Sequence, residues 1–159
     1  LITTQKEAFI ASDDIKVYKI LDKLDGEFTS YHYRFFWVFG ELYETSIEKS
    51  KEFMASDIIA CEHYFPEYKK NNFYGDFTSK EFLILVESKG LISYSSGFHS
   101  YKTIERAKLG LKDINDCNLP NITEKLTIVE FTIPIGSEYY EDETGLIVSN
   151  KIVAMKIVE

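Results

Sequence analysis

The sequence predicts an α+β fold: a mainly antiparallel sheet carrying two or three helices, in a single domain over residues 1–159. Three observations lead there. Short runs of alternating or continuous apolar residues, rich in β-branched and aromatic side chains, recur between turn signals. Capping patterns flank amphipathic segments. The chain also holds 12 Phe, 11 Tyr and 1 Trp, residue types that favour strands.

Residues 1–14 are mixed and polar. Residues 15–21 (IKVYKIL) alternate as a strand, and Asp25-Gly26 marks a turn. The aromatic stretch 28–43, broken by Gly40, reads as one or two strands, with Phe35 to Phe39 the most buried part. Thr45 and Glu48 have capping-box spacing, and Ile47, Met54, Ile58 and Cys61 recur at mostly helical intervals, so a helix is expected over 46–62, with Pro66 preventing its continuation. Residues 67–76 read as a loop. Thr78 and Glu81 repeat the capping box and Gly90 suits a C-terminal cap. The run FLILV between them would also fit a buried strand; the two caps favour a helix.

Residues 91–94 read as a short strand. Residues 103–115 form the clearest helix, with Ile104, Ala107, Leu111 and Ile114 on one stripe and Glu105, Arg106, Lys108 and Lys112 opposite. Pro120 turns the chain. Residues 126–135 are a strand ending at Pro134 and Gly136, which 137–140 would extend; 141–145 are an acidic turn, a solvated tip carrying Glu141, Asp142 and Glu143. Residues 146–148 and 152–158 are strands, or one strand bulged at Ser149-Asn150.

Charge and composition bound the function. Eighteen Lys and Arg against 26 Asp and Glu leave a net charge of −8, a poor match to a phosphate backbone or an anionic bilayer, so neither nucleic acid nor membrane is an expected partner. No apolar run approaches the ~20 residues of a membrane span. Cys61 and Cys117 are far apart in sequence and read as free thiols of a reducing, cytoplasmic compartment. Cys61-Glu62-His63 is the only close pair of soft ligands, and its spacing fits no common zinc pattern, so no metal is expected. A nucleophilic cysteine would need a base beside it, such as His99 beside Cys117, which the sequence does not place. Neither GxGxxG nor GxxxxGK[ST] occurs.

The segment Gly97-Phe98-His99-Ser100 has more chemical content: a glycine bend, a titratable ring, and a helix start shortly after. The plain alternative is a strand-to-helix joint in which His99 packs or caps.

In order along the chain come Val17-Tyr18-Lys19-Ile20, then Trp37-Val38-Phe39-Gly40-Glu41-Leu42-Tyr43-Glu44, then Gly97 to Tyr101 with Ala107, then Ile133 to Tyr140 and Val148 to Ile152. This succession resembles a widespread group of domains of uncharacterised function in bacteriophages and gut bacteria, some fused to pentapeptide repeats. The resemblance covers about residues 15–158, with 45–90 as a helical or loop insertion. A second likeness is to ADP-ribosyltransferase folds, in which a strand ending Pro-x-Gly, here Pro134-Ile135-Gly136, precedes a strand with a catalytic glutamate. At that place this chain has Leu146 to Ser149, with Glu143 just before, and Tyr18-Lys19 and Arg34 are poor counterparts of an NAD-holding residue.

Two functions compete. One is a non-enzymatic binding or accessory module of phage or mobile-element type, without cofactor, taking a protein or small-molecule ligand. The other is an ADP-ribosyltransferase-like enzyme that binds NAD or a nucleotide. A ligand site is expected where Gly97 to Ser100 meets the first and last strands of the pattern, using Tyr18, His99, Ser100, Tyr139, Tyr140 and Ser149.

Overall fold

The computed structural model describes residues 1–24, 26–30, 35–51, 63–65, 79–116 and 126–158. Its centre is the pair β3 (Ile15–Leu24) and β9 (Leu126–Ile133), antiparallel from Ile15 opposite Ile133 to Asp22 opposite Leu126. Both faces of this pair are covered, so both parities are apolar. Val17, Leu21, Val129, Phe131 and Ile133 pack on one side, called the inner face. Ile20, Leu126 and Ile128 pack on the other, the outer face. Burial on both faces explains why LTIVEFTI reads as a continuous apolar run.

The remaining strands extend the sheet. They are β2 (Phe9–Ile10), β6 (Leu42–Glu44), β8 (Phe98–Tyr101), β10 (Glu138–Glu141), β11 (Leu146–Ser149) and β12 (Lys151–Ile157), in the order β2-β10-β11-β8-β3-β9-β12-β6. All of these pairings are antiparallel. Strand β4 (Glu27–Ser30) pairs with the C-terminal end of β3, with Gly26 in the turn, and β5 (Phe36–Trp37) pairs with β4. A separate two-stranded sheet joins β1 (Ile2–Thr3) to β7 (Ile92–Ser93). Strands β11 and β12 are not one bulged strand. Around Asn150 the chain leaves the β10–β8 side and crosses to β9 and β6.

The described residues carry two α-helices. In α1 (Ser79–Ser88), Gly90 N–H donates to Glu87 C=O and Leu91 N–H to Val86 C=O, while Val86 and Leu91 share an apolar cluster. With Gly90 at φ +73°, this is a Schellman cap, and it decides for helix over strand in FLILV. In α2 (Ile104–Asp116), Thr103 caps the start: its Oγ1 accepts from Arg106 N–H at 3.1 Å. Ile104, Ala107, Leu111 and Ile114 face the sheet, as expected, and Lys108 and Lys112 are exposed. Arg106 is not on the wet side. Its Nε donates to Thr144 C=O at 2.8 Å and its guanidinium lies over the Tyr101 ring.

Three other expectations change. Of Phe35 to Phe39 only Trp37 is buried, at 6% exposure, and its neighbours point outward. Trp37 is the one residue of the run that enters the core, against Phe131, Tyr43 and Phe98, while Phe35 lies against Tyr43 and Phe39 against Phe28 and both stay more than a third exposed. No helix starts at Thr45. Residues 46–51 lie along 93–96 instead, with Ser50 N–H on Ser93 C=O and Ser95 N–H on Glu48 C=O, and the rest of the expected helix, 52–62, falls outside the described residues. Asp142 is not a solvated tip: it is buried, and its Oδ1 accepts from Thr144 N–H and Leu146 N–H at 2.8 and 2.9 Å. The carboxylate therefore organises the turn between β10 and β11. Burial pushes its pKa up, and these donors oppose the shift.

The N-terminal segment closes the outer side of β10. Beyond the β2 pairing, the Gln5 side chain acts like a strand backbone: its Nε2 donates to Tyr139 C=O at 3.0 Å and its Oε1 accepts from Glu141 N–H at 2.9 Å.

Among the described residues, no helix is long and apolar enough to cross a membrane.

Candidate functional site

The strands expected to meet are neighbours in the sheet, in the order β10-β11-β8-β3. Gly97 directly precedes β8 at φ +103°, and a Cβ there would lie 2.6 Å from Val148 Cγ2 and 3.2 Å from the Ser149 carbonyl oxygen. Only glycine lets β8 approach β11 this closely.

The pleat then divides the six expected residues. Tyr101 opposes Tyr18, and both join the outer cluster under α2. His99 and Val148 are paired, and Tyr140 opposite Val148 packs with it and Tyr94. Tyr18, His99 and Tyr140 therefore belong to the outer face. Phe98 and Tyr139 pack into the inner cluster, Ser149 lies opposite both, and Ser100 alternates with His99 onto the same side. The six do not line one surface.

Each has a definite setting. The Tyr140 ring stacks on Tyr94 with centroids 4.1 Å apart, and burial pushes the Tyr94 hydroxyl up to about 12. Tyr139 meets Phe9 edge-on. Ser149 is buried and donates from Oγ to its near neighbour Lys151 C=O at 3.0 Å. Ser100 is buried with an Oγ that has no hydrogen-bond partner. His99 is half-buried; its pKa is pushed down to about 3, mainly by burial, with the positive charge of Lys19 adding to it and hydrogen bonding with the backbone at Tyr94 and Gly97 opposing it. Its ring is neutral at physiological pH.

Lys19 and Trp37, which are not among the six expected residues, adjoin them on the inner face. Lys19 follows Val17 and precedes Leu21 on the inner-face parity of β3, so a lysine interrupts an apolar row. That interruption is readable in IKVYKIL. Lys19 Nζ donates to the His99 carbonyl oxygen and lies 5.7 Å from the Trp37 ring centre. Trp37 Nε1–H donates to Ser30 Oγ at 3.0 Å.

Glu143 is exposed in the β10–β11 turn and hydrogen-bonds His63 Nε2 at 2.8 Å. Arg34, Cys61 and Cys117 lie outside the described residues. Among the described residues, no group of three or more His, Cys, Asp or Glu side chains could hold a metal ion.

Comparison with family models, curated proteins and solved structures returns no match to this chain.

Proposed function

We propose that this chain is a non-enzymatic binding module of phage or mobile-element type, and that its partner is a protein with an apolar face rimmed by basic residues. The supporting observation is the segment from Phe35 to Leu42. Phe36, Val38 and Leu42 are 47%, 52% and 55% exposed, with Phe35 and Phe39 also open, while Trp37 anchors the segment to the sheet. So many large apolar side chains on one short exposed segment fit a contact surface better than scattered surface leucines do. Glu41 and Glu44 are exposed within and beside it, and the chain carries a net charge of −8, which favours a basic rim on the partner.

The test is co-purification from lysate of the source cells, with wild-type protein and a Phe36→Ser/Val38→Ser variant. A protein held by the wild type, released by added salt and lost in the variant is the expected result. Capture of the same proteins by both would overturn the reading. A thermal-shift panel with NAD and nucleotides separates the enzymatic alternative: saturable stabilisation by NAD would favour the ADP-ribosyltransferase-like function.

A further inference from the structure

We propose that Lys19 and Ser100 form the polar end of a second site, which takes a small monocarboxylate whose apolar body packs against Trp37 and Phe98. The site lies on the inner face of the sheet and shares only Trp37 with the exposed 35–42 segment.

Four observations converge. Lys19 is half-buried on a face otherwise built of Val17, Leu21, Val129 and Phe131. A lysine in such surroundings is ordinarily paired with a carboxylate. Among the described residues its ammonium meets the His99 carbonyl oxygen and the Trp37 π-face and no carboxylate. The acid nearest along the facing strand, Glu130, opposes Tyr18 and is engaged by Lys16 at 3.7 Å. Second, the register fixed by Tyr18 opposite Tyr101 sets Ser100 across from Lys19, on the same face. Its hydroxyl is sealed from water and unpartnered. Third, Trp37 and Phe98 stand edge to face with centroids 5.8 Å apart, an aromatic wall beside the ammonium. Fourth, burial alone holds the Lys19 pKa down to about 8, as it does for a cation lacking a counter-ion.

The chemistry of the ligand follows from what is unspent. An ammonium has three donors, and one is used on the His99 carbonyl. A carboxylate would accept from the ammonium and from the Ser100 hydroxyl and would neutralise the charge. One cation and one hydroxyl suit one negative charge, and a phosphate would find too few donors. The aromatic wall suits an aryl or branched aliphatic body. The same chemistry is offered by a free acid and by the C-terminus of an apolar peptide.

The experiment uses the fluorescence of Trp37, the only tryptophan in the chain. Phenylacetate is titrated into the protein, with phenylacetamide as its neutral counterpart and N-acetyl-phenylalanine as a mimic of a chain terminus. The expected result is a saturable emission change with phenylacetate at up to millimolar concentration, and none with the amide. N-acetyl-phenylalanine binding more tightly than phenylacetate assigns the site to peptide ends, and the reverse assigns it to free acids. Lys19→Met keeps the stem and removes the charge, and should abolish the response. Ser100→Ala should weaken it by about tenfold, the loss of one charge-assisted hydrogen bond. No saturable change with either acid, an equal response to the amide, or an unaltered response in folded Lys19→Met would overturn the proposal. Should Lys19→Met fail to fold, Ser100→Ala and the amide control decide it.

Discussion

Gly97 and Val148 are packed so closely that one added methyl group would put carbon 2.6 Å from carbon. The backbone of Gly97 is also left-handed, at φ +103°. Gly97→Ala therefore incurs both backbone strain and overpacking, and should lower stability by about 3 kcal/mol. Urea unfolding checks this, and an unchanged midpoint would show that β8 and β11 can separate freely.

Trp37 is the anchor of the aromatic segment. It is ringed by Phe35, Tyr43, Phe98 and Phe131 at 4.6–5.8 Å between centroids. Trp37→Ala should cost about 3–5 kcal/mol, and the native emission maximum should lie well to the blue of free tryptophan. An emission typical of full exposure would contradict the packing.

Leu109 and Leu111 are two residues apart on α2 and face opposite ways. Leu111 packs against Ile20 and Ile128 in the outer cluster, whereas Leu109 is 59% exposed. Leu111→Asp places an unpaired charge against the sheet and should prevent stable folding. Leu109→Asp should change stability by less than about 0.5 kcal/mol. Equal melting temperatures for the two variants would mean that the helix is turned the other way.

His99 makes the fold acid-sensitive. In the unfolded chain its ring protonates near the ordinary histidine value of 6.5, but in the folded protein it does so only at about 3. Between these values the unfolded state binds the extra proton, so this contribution to stability is present above pH 6.5 and lost as the pH falls towards 3. His99→Gln should flatten the decline over that window. Chemical denaturation of both proteins at pH 7, 5 and 4 measures it; parallel curves would refute the assignment.

The buried carboxylate of Asp142 receives two backbone N–H groups and the Thr144 hydroxyl. Asp142→Ala leaves those donors without their acceptor and should cost about 1–3 kcal/mol. Nuclear magnetic resonance should show it as faster amide exchange at Thr144 and Leu146 than elsewhere in β10 and β11.

What could be read from the sequence depended on length and on how many faces an element buries. Strand β9 was plain as a long β-branched run buried on both faces, and helix α2 because its apolar stripe repeats one period after Thr103. Strands β1 and β2 are two residues each, too short to show a period. Thr45 and Glu48 carried a capping pattern, but Thr45 N–H goes to Asn150 C=O and Glu48 N–H to Ser96 Oγ, so tertiary pairing outcompeted the local helix. The aromatic run 35–39 was misread because hydrophobic content does not say which side chain faces the sheet. For the site, the sequence named strands that do adjoin, but the face of each residue depends on register, and Ser100 and His99 therefore part company. Lys19 could have been noticed as the break in the Val17, Leu21 row.

The Gln5 amide has a further consequence for how the protein behaves in solution. Strand β10 would otherwise present free backbone groups at Tyr139 and Glu141 to any passing chain, the template from which edge-to-edge polymers grow. The Gln5 and Thr3 side chains and a two-residue strand mask that template, so protection of the edge depends on the first ten residues staying docked. Loss of that docking, by proteolytic nicking near Glu7 or by Gln5→Ala, should convert a shielded rim into a seeding surface, with thioflavin-positive aggregates forming from protein whose central β3–β9 pair is still intact.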